Sequence, residues 1–297
     1  MEEKACTCTG IRFCALCADS ARVREVFENK ELLRSADAVI ANQSQKDRSS
    51  SYSFALLNKS KYALCAECGA TFKLRDHPFR ACAEHAGKEQ EPKRIGGLHV
   101  MENIVTPDME QSLLDFFDNT PEPFGGWKVS QSGRRKQDYG PKRNFKKKKV
   151  KPSDIPHMPL VFKKLFADVS QAVSGPTGKP FDTVEVSVLE YTTERMSNFD
   201  PHVDDTWLWG DRIVGLNLLE DCIMTFVDAE GDALDVCLPR RCLFIMSGES
   251  RYTWMHGIRP ESILNRRISM TMRELSDELL SDTEAATMIK EAAHSFI

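Results

Sequence analysis

His202-Val203-Asp204 sets an imidazole and a carboxylate two residues apart, and a later imidazole, His256, sits near the end of the stretch RYTWMHGI. In an extended backbone, residues two apart project to the same side, so the first pair can converge on one ion. Two histidines and one carboxylate on one face of an octahedron leave three open positions, the ligand set of non-haem iron(II) oxygenases. A His-x-Asp triplet alone also arises by chance, and His256 alone reads equally well as a packed or exposed histidine. Arg267-Ile-Ser-Met-Thr-Met-Arg273 carries the discrimination. On a strand Arg267, Ser269, Thr271 and Arg273 share one face, and Ile268, Met270 and Met272 share the other. Two guanidinium groups backed by an apolar stripe suit a ligand with two carboxylates, each held bidentately. 2-Oxoglutarate is such a ligand. Taken without the histidines, the same strand reads as an edge strand with exposed arginines in salt bridges.

Those residues need a rigid frame, and the chain from about residue 180 to 275 provides one. Strands are expected at 182–191, 212–219, 222–228, 233–239, 241–247, 251–258 and 267–274, with turn residues between several of them. Short strands at this spacing predict a sandwich, barrel or jelly roll. Ahead of them, 95–105 reads as a strand. Thr106-Pro107-Asp108-Met109-Glu110 reads as a helix start, with Thr106 as N-cap, Pro107 in the first helical position and Glu110 in the first turn. A second amphipathic helix is expected at about 158–173, and the last twenty residues read as helical.

The segment 130–151, SQSGRRKQDYGPKRNFKKKKVK, is strongly basic. From Arg134 to Lys151 it holds ten Lys or Arg and one Asp, with Tyr139 and Phe145 interleaved. Basic charge with aromatics suits a single-stranded or flipped nucleotide. A solvated loop or nuclear localisation signal, or a segment that meets an acidic protein surface, reads from the same residues. The net charge of −4 over 297 residues does not by itself indicate a polyanionic partner.

Residues 1–90 form a Cys-rich region, with a helical pattern at 20–36 and a polar linker at 41–51. Seven of the ten cysteines lie there. Residues 1–20 have no apolar run of the signal-peptide kind, and no stretch of about 18 apolar residues occurs, so no membrane span is expected. Reduced thiols in the cytoplasm and nucleus are the expectation. Cys6-x-Cys8-x5-Cys14-x2-Cys17 offers four thiolates for a zinc ion. Cys65-x2-Cys68 and Cys82-x2-His85, with His77 between, offer a second zinc site of the ribbon or finger kind. Buried, unligated cysteines are the alternative for both. Cys222, Cys237 and Cys242 fall in expected strands and read as core.

Together, His202-x-Asp204, His256 and Arg267-x5-Arg273 resemble the AlkB-like dioxygenases in order and spacing over about residues 95–275. The words PHVDDTWLWGDRIVGLNLL and SQSGRRKQDYGPK, with the head CTCTGIRFCALC, are similar to the AlkB homologue four subfamily. The resemblance implies an α+β, mainly β fold: a double-stranded β-helix, or jelly roll, with flanking helices and a Cys-rich N-terminal region. It implies a dioxygenase domain at 91–297, with a basic substrate lid at about 128–151 and the β-helix at about 180–275. It implies iron(II) on His202, Asp204 and His256, and 2-oxoglutarate held by Tyr191, Arg267 and Arg273. Arg134, Arg135 and Tyr139 would face the substrate. Leu189 and Ser269 depart from the pattern, since many members have Asn at each place. The implied reaction is oxidative N-demethylation of a methylated protein (methyl-lysine of an actin type, slightly preferred) or of 6-methyladenine in DNA. A non-catalytic scaffold that recruits partners through the Cys-rich head and basic segment is the rival reading.

Overall fold

The computed structural model describes residues 60–65, 68–73, 94–130, 133–144 and 147–297. The candidate zinc ligands Cys6, Cys8, Cys14, Cys17, Cys82 and His85 lie outside the described residues, as do His77, the helical pattern at 20–36 and the polar linker at 41–51.

In chain order the strands are β1 (Tyr62–Leu64), β2 (Thr71–Lys73), β3 (Leu98–Met101), β4 (Lys128–Val129), β5 (Arg135–Tyr139), β6 (Lys142–Asn144), β7 (Lys149–Lys151), β8 (Glu185–Thr192), β9 (Phe199–His202), β10 (Trp209–Leu218), β11 (Cys222–Val227), β12 (Ala233–Leu238), β13 (Leu243–Met246), β14 (Met255–Ile258) and β15 (Arg266–Leu275). The helices are α1 (Pro107–Asp118), α2 (Phe162–Thr177), α3 (Gly248–Tyr252), α4 (Asp277–Leu280) and α5 (Thr283–Ala293). Among the described residues, one sheet runs β2-β1-β12-β11-β14-β9, and the other runs β3-β13-β10-β15-β8-β5-β4. Among the described strands, β6 and β7 pair only with each other. This is the jelly roll, with a continuous apolar core drawn from both sheets and from α1, α2 and α5.

Sequence chemistry explains the local choices. Thr106 caps α1 by accepting from Met109 N at 3.2 Å, and Pro107 occupies the first helical turn where its missing N–H costs nothing. α1 turns Leu113, Leu114 and Phe117 inward, and α2 turns Phe162, Leu165, Phe166, Val169 and Val173 inward. α2 ends at Gly178, whose φ of 73° is the left-handed stop that glycine takes without strain. In β15 the apolar residues Ile268, Met270 and Met272 are fully buried on the core face.

Three expectations change. The strand expected at 251–258 starts late: Ser247 and Ser250 form a reciprocal capping box that starts α3, the helix runs to Tyr252, and only 255–258 is extended. The basic segment is no simple loop, because β5 adds to β8 by five residue pairs and extends the second sheet. Lastly, β1 lies in the stretch read as the Cys-rich region, yet it runs parallel to β12 and joins the first sheet, with Tyr62 opposite Leu234. Cys65 and Cys68 flank the turn of that β1–β2 hairpin, where Gly69 adopts φ 67° and Cys65 N donates to Ala70 O. Cys65 is buried and Cys68 exposed.

Candidate active site

β9 and β14 are antiparallel neighbours, and their register sets His202 directly opposite His256. Asp204 follows two residues after the end of β9. One ligand atom from each of the three lies within 4.8 Å of the others, and all three side chains are buried. His202 Nδ1 lies 2.8 Å from the carbonyl of Asp200. A carbonyl only accepts, so Nδ1 carries the proton and the Nε2 lone pair is left free. His256 Nε2 is 3.6 Å from Asp204 Oδ2.

The electrostatics favour a cation. Burial pushes the His256 imidazolium down to about 3, and neighbouring His202 adds to the push. Burial likewise lowers His202. Burial opposes the charge on Asp204, but the guanidiniums of Arg273 and Arg251 hold its carboxyl well below the usual carboxylate range. The site therefore presents two neutral imidazoles and one anion at neutral pH, which is the state a divalent ion requires.

Arg251 fixes the loop that carries the carboxylate. Its guanidinium is buried and donates to the carbonyls of Asp204 at 2.8 Å and Asp205 at 3.2 Å. Arg273 donates to Asp204 Oδ1 from Nη2 at 2.7 Å and from Nε at 3.2 Å. Oδ1 is thus engaged, and Oδ2 lies toward His256.

The centre opens into a cavity of about 430 Å³ between the two sheets. That is an ordinary size for a small-molecule site. Arg267, Ser269, Thr271 and Arg273 all line it, as strand alternation requires. Arg267 is 1% exposed. Its Nε donates to Asn217 Oδ1 at 2.6 Å, and its carbon Cζ stands 5.0 Å from the centroid of Tyr191. Its Nη1 and Nη2 are buried and have no hydrogen-bond partner among the described residues. A buried guanidinium with two orphaned donors aimed into a cavity fits a carboxylate, so the residues present suit a dicarboxylate cosubstrate. Gly215 makes this floor possible: a Cβ there would stand 1.9 Å from the ring of Phe244, which lines the cavity.

Sequence reasoning missed Asn217. Its Nδ2 donates to the carbonyls of Glu220, Leu238 and Pro239, which locks the Oδ1 that receives Arg267. A lone amide in the apolar run IVGLNLL was the available signal. Glu185, a buried acid in TVEVSVLEY, was missed for the same reason.

The expected substrate residues separate. Arg134 lines the cavity, with its guanidinium 3.7 Å over the ring of Phe199, which in turn stacks on His202 at 4.0 Å between centroids. Arg135 and Tyr139 lie on the other face of β5, contrary to expectation. Arg135 is held bidentately by Glu190 at 2.5 and 2.7 Å. Tyr139 is buried among Phe116, Phe124 and Phe162, and its hydroxyl donates to Gln137. The period of a strand is two, so Lys136 and Asp138 share the cavity face with Arg134.

The model of the "2OG-Fe(II) oxygenase superfamily" matches residues 119–273. A mouse protein, "Alpha-ketoglutarate-dependent dioxygenase alkB homolog 4", is 30% identical over 98% of this chain and 94% of its own. A Caenorhabditis elegans protein, "DNA N6-methyl adenine demethylase", is 31% identical over 95% of this chain and 90% of its own. Among solved structures, that of OsALKBH1 superposes with a TM-score of 0.48 at 17% identity, over 62% of this chain and 100% of the other.

Proposed function

The chain belongs to the 2OG-Fe(II) oxygenase superfamily, as an AlkB-like 2-oxoglutarate-dependent dioxygenase and oxidative demethylase, and from that premise we propose its substrate and the roles of its residues. The substrate is a macromolecule carrying an N-methyl group: methyl-lysine in an actin-type protein as the first reading, resting on the AlkB homologue four resemblance. A specific observation favours a second reading, 6-methyladenine in DNA: the 31% identical worm relative bears that activity in its name. The observation that carries the proposal is the sharing of one cavity by the three-ligand cluster and the buried donors of Arg267.

In this reading His202, Asp204 and His256 hold iron(II). Arg267, oriented by Asn217 and flanked by Tyr191, receives the distal carboxylate of 2-oxoglutarate, and Arg273 stands by the carboxylate nearer the metal. Iron(II) with 2-oxoglutarate supplies oxidation of a C–H bond by dioxygen, with succinate and carbon dioxide released. The protein keeps both imidazoles neutral and the ligand carboxylate ionised, and encloses the reacting methyl between two sheets. Hydroxylation turns N–CH3 into N–CH2OH. Its C–N bond then breaks, the hydroxyl proton returns to nitrogen, and formaldehyde leaves. Arg134, at the cavity side of β5 and over Phe199, contacts the substrate.

We place the protein in the cytoplasm and nucleus, on the pattern of reduced cysteines. Zinc on Cys6, Cys8, Cys14 and Cys17, and on Cys65, Cys68, Cys82 and His85, is part of the same proposal. Among the described residues no helix is long and apolar enough to cross a membrane.

The test is turnover of methyl-lysine actin, 6-methyladenine DNA and their unmethylated partners with iron(II), ascorbate and 2-oxoglutarate, read by mass spectrometry beside His202→Ala. Loss of a methyl group from one substrate, absent in the variant, supports the reading and selects the class. No demethylation and no succinate from iron-loaded protein overturns it.

A further inference from the structure

Glu185 opens β8 with its side chain 1% exposed, in register with Arg273 across β15. Its two oxygens face two different arginines. Oε2 accepts from Arg273 Nη1 at 2.8 Å, and Oε1 accepts from Arg143 Nη1. Arg273 then continues to Asp204 Oδ1. Arg143 also reaches Asp138, at 3.3 Å. The buried indole of Trp209 lies beside both guanidiniums, 5.8 Å from Arg143 and 5.6 Å from Arg273. The result is a continuous line of ion pairs, Arg143–Glu185–Arg273–Asp204.

The two ends of this line belong to different parts of the molecule. Asp204 is at the metal-ligand cluster. Arg143 is in β6, whose hairpin with β7 carries Lys142, Lys147, Lys148, Lys149 and Lys151 and belongs to neither large sheet. Of the described residues in β6 and β7, Arg143 is the one that lines the cavity. The corner leading into β6 is pressed against β8: at Gly140, φ 109°, a Cβ would stand 2.6 Å from Val184 O.

We propose that Glu185 is a positioning residue with two duties. It holds Arg273 on Oδ1 of Asp204, so that Oδ2 is left for the metal. It also ties the basic β6–β7 arm to that centre, so that metal with cosubstrate and an ordered arm stabilise each other. The two guanidiniums satisfy both oxygens of the buried carboxylate, and a glutamine in its place leaves one acceptor oxygen for two arginines. Coupling of this kind is reciprocal: whatever orders the arm tightens the centre by the same factor. The proposal rests on Asp204 being a metal ligand.

Cobalt(II) chloride is the probe, followed by its visible spectrum, with 2-oxoglutarate added afterwards. Exchange of backbone amides in β6 and β7 is followed by hydrogen–deuterium mass spectrometry. His202→Ala is the control for the centre: it should lose the cobalt spectrum. If it binds cobalt as the unaltered protein does, the metal reading fails and this proposal with it. With that control in place, Glu185→Gln should bind cobalt about 10- to 100-fold more weakly and shift its spectrum. Arg143→Gln leaves the Glu185–Arg273 pair in place and should keep the spectrum. In both variants, cobalt with 2-oxoglutarate should no longer slow amide exchange in β6 and β7. Slowing equal to that of the unaltered protein in Arg143→Gln, or unchanged cobalt affinity in a folded Glu185→Gln, would overturn the proposal.

Discussion

At the scale of single residues, the proposed function rests on a few buried charges, of which Arg267 has incomplete partners. Arg267 has one satisfied nitrogen and two that are not. Hydrogen bonds to charged groups contribute about 1.5–3 kcal/mol each. Arg267→Gln should therefore raise KM for 2-oxoglutarate about 10- to 150-fold while the fold persists, as measured by succinate formation at varied cosubstrate. An unchanged KM would remove Arg267 from the cosubstrate site. The histidines make a second prediction. His256 in the folded protein is depressed to about 3 from 6.5, so the unfolded chain takes up the proton first as pH falls. Stability from this group is present above pH 6.5 and is lost on going down toward 3. Metal-free protein should thus show a falling Tm between pH 7 and 5, with a shallower fall in His256→Gln. Parallel curves would contradict the assignment of the buried neutral imidazole.

At the scale of elements, alternation along β5 decides which arginine faces the cavity. Arg134 shares the cavity face with Lys136 and Asp138, whereas Arg135 pairs with Glu190 on the opposite side. Arg134→Ala should raise KM for the macromolecular substrate. Arg135→Ala should leave that KM unchanged and lower stability by about 1 kcal/mol or less, because its side chain is 37% exposed. Steady-state kinetics and thermal melts on the pair read this directly, and an exchange of the two effects would mean that β5 is slipped by one residue. Gly215 gives a further check in β10. A methyl group there meets the Phe244 ring, so Gly215→Ala should cost about 1–3 kcal/mol by overpacking and distort the cavity floor, seen as a lower Tm and weaker 2-oxoglutarate binding. A Tm and an affinity like those of the unaltered protein would show that Phe244 moves freely.

At the scale of the whole molecule, the proposed metal and cosubstrate join two sheets that already meet through apolar packing and the Arg273–Asp204 ion pair. His202, Asp204 and His256 come from the β9–β14 side, and Arg267, Arg273 and Tyr191 come from β15 and β8. A ligand bridging both sides binds only the folded chain, and at 100 times its Kd it adds about 2.7 kcal/mol. Manganese(II) with 2-oxoglutarate should raise Tm in the unaltered protein, a chelator should reverse the rise, and His202→Ala should show none. An equal rise in the variant would place the metal elsewhere.

Much of this was legible in the chain itself. The Arg267-x5-Arg273 spacing was legible because strand geometry makes residues six apart share a face wherever the strand lies, whereas Asp204 reaches the histidines from the loop beyond β9. Strand positions from 212 to 247 and the Thr106 cap were legible for the same reason: period and capping are local. The capping box that turned 248–252 into helix was local too, but it competes with a strand-like pattern and only packing decides between them. Non-local pairings were not legible. Which face of β5 looks inward depends on its register with β8, and that is why Arg135 and Tyr139 were misplaced. The joining of β1 to β12 spans more than 170 residues, with nothing in either segment to announce the other. Asn217, Glu185, Arg251 and Arg143 acquire their roles only through partners distant in sequence. A single chain records residue types and local periods; tertiary structure alone decides which buried charges face each other, since that depends on the relative placement of strands across the core.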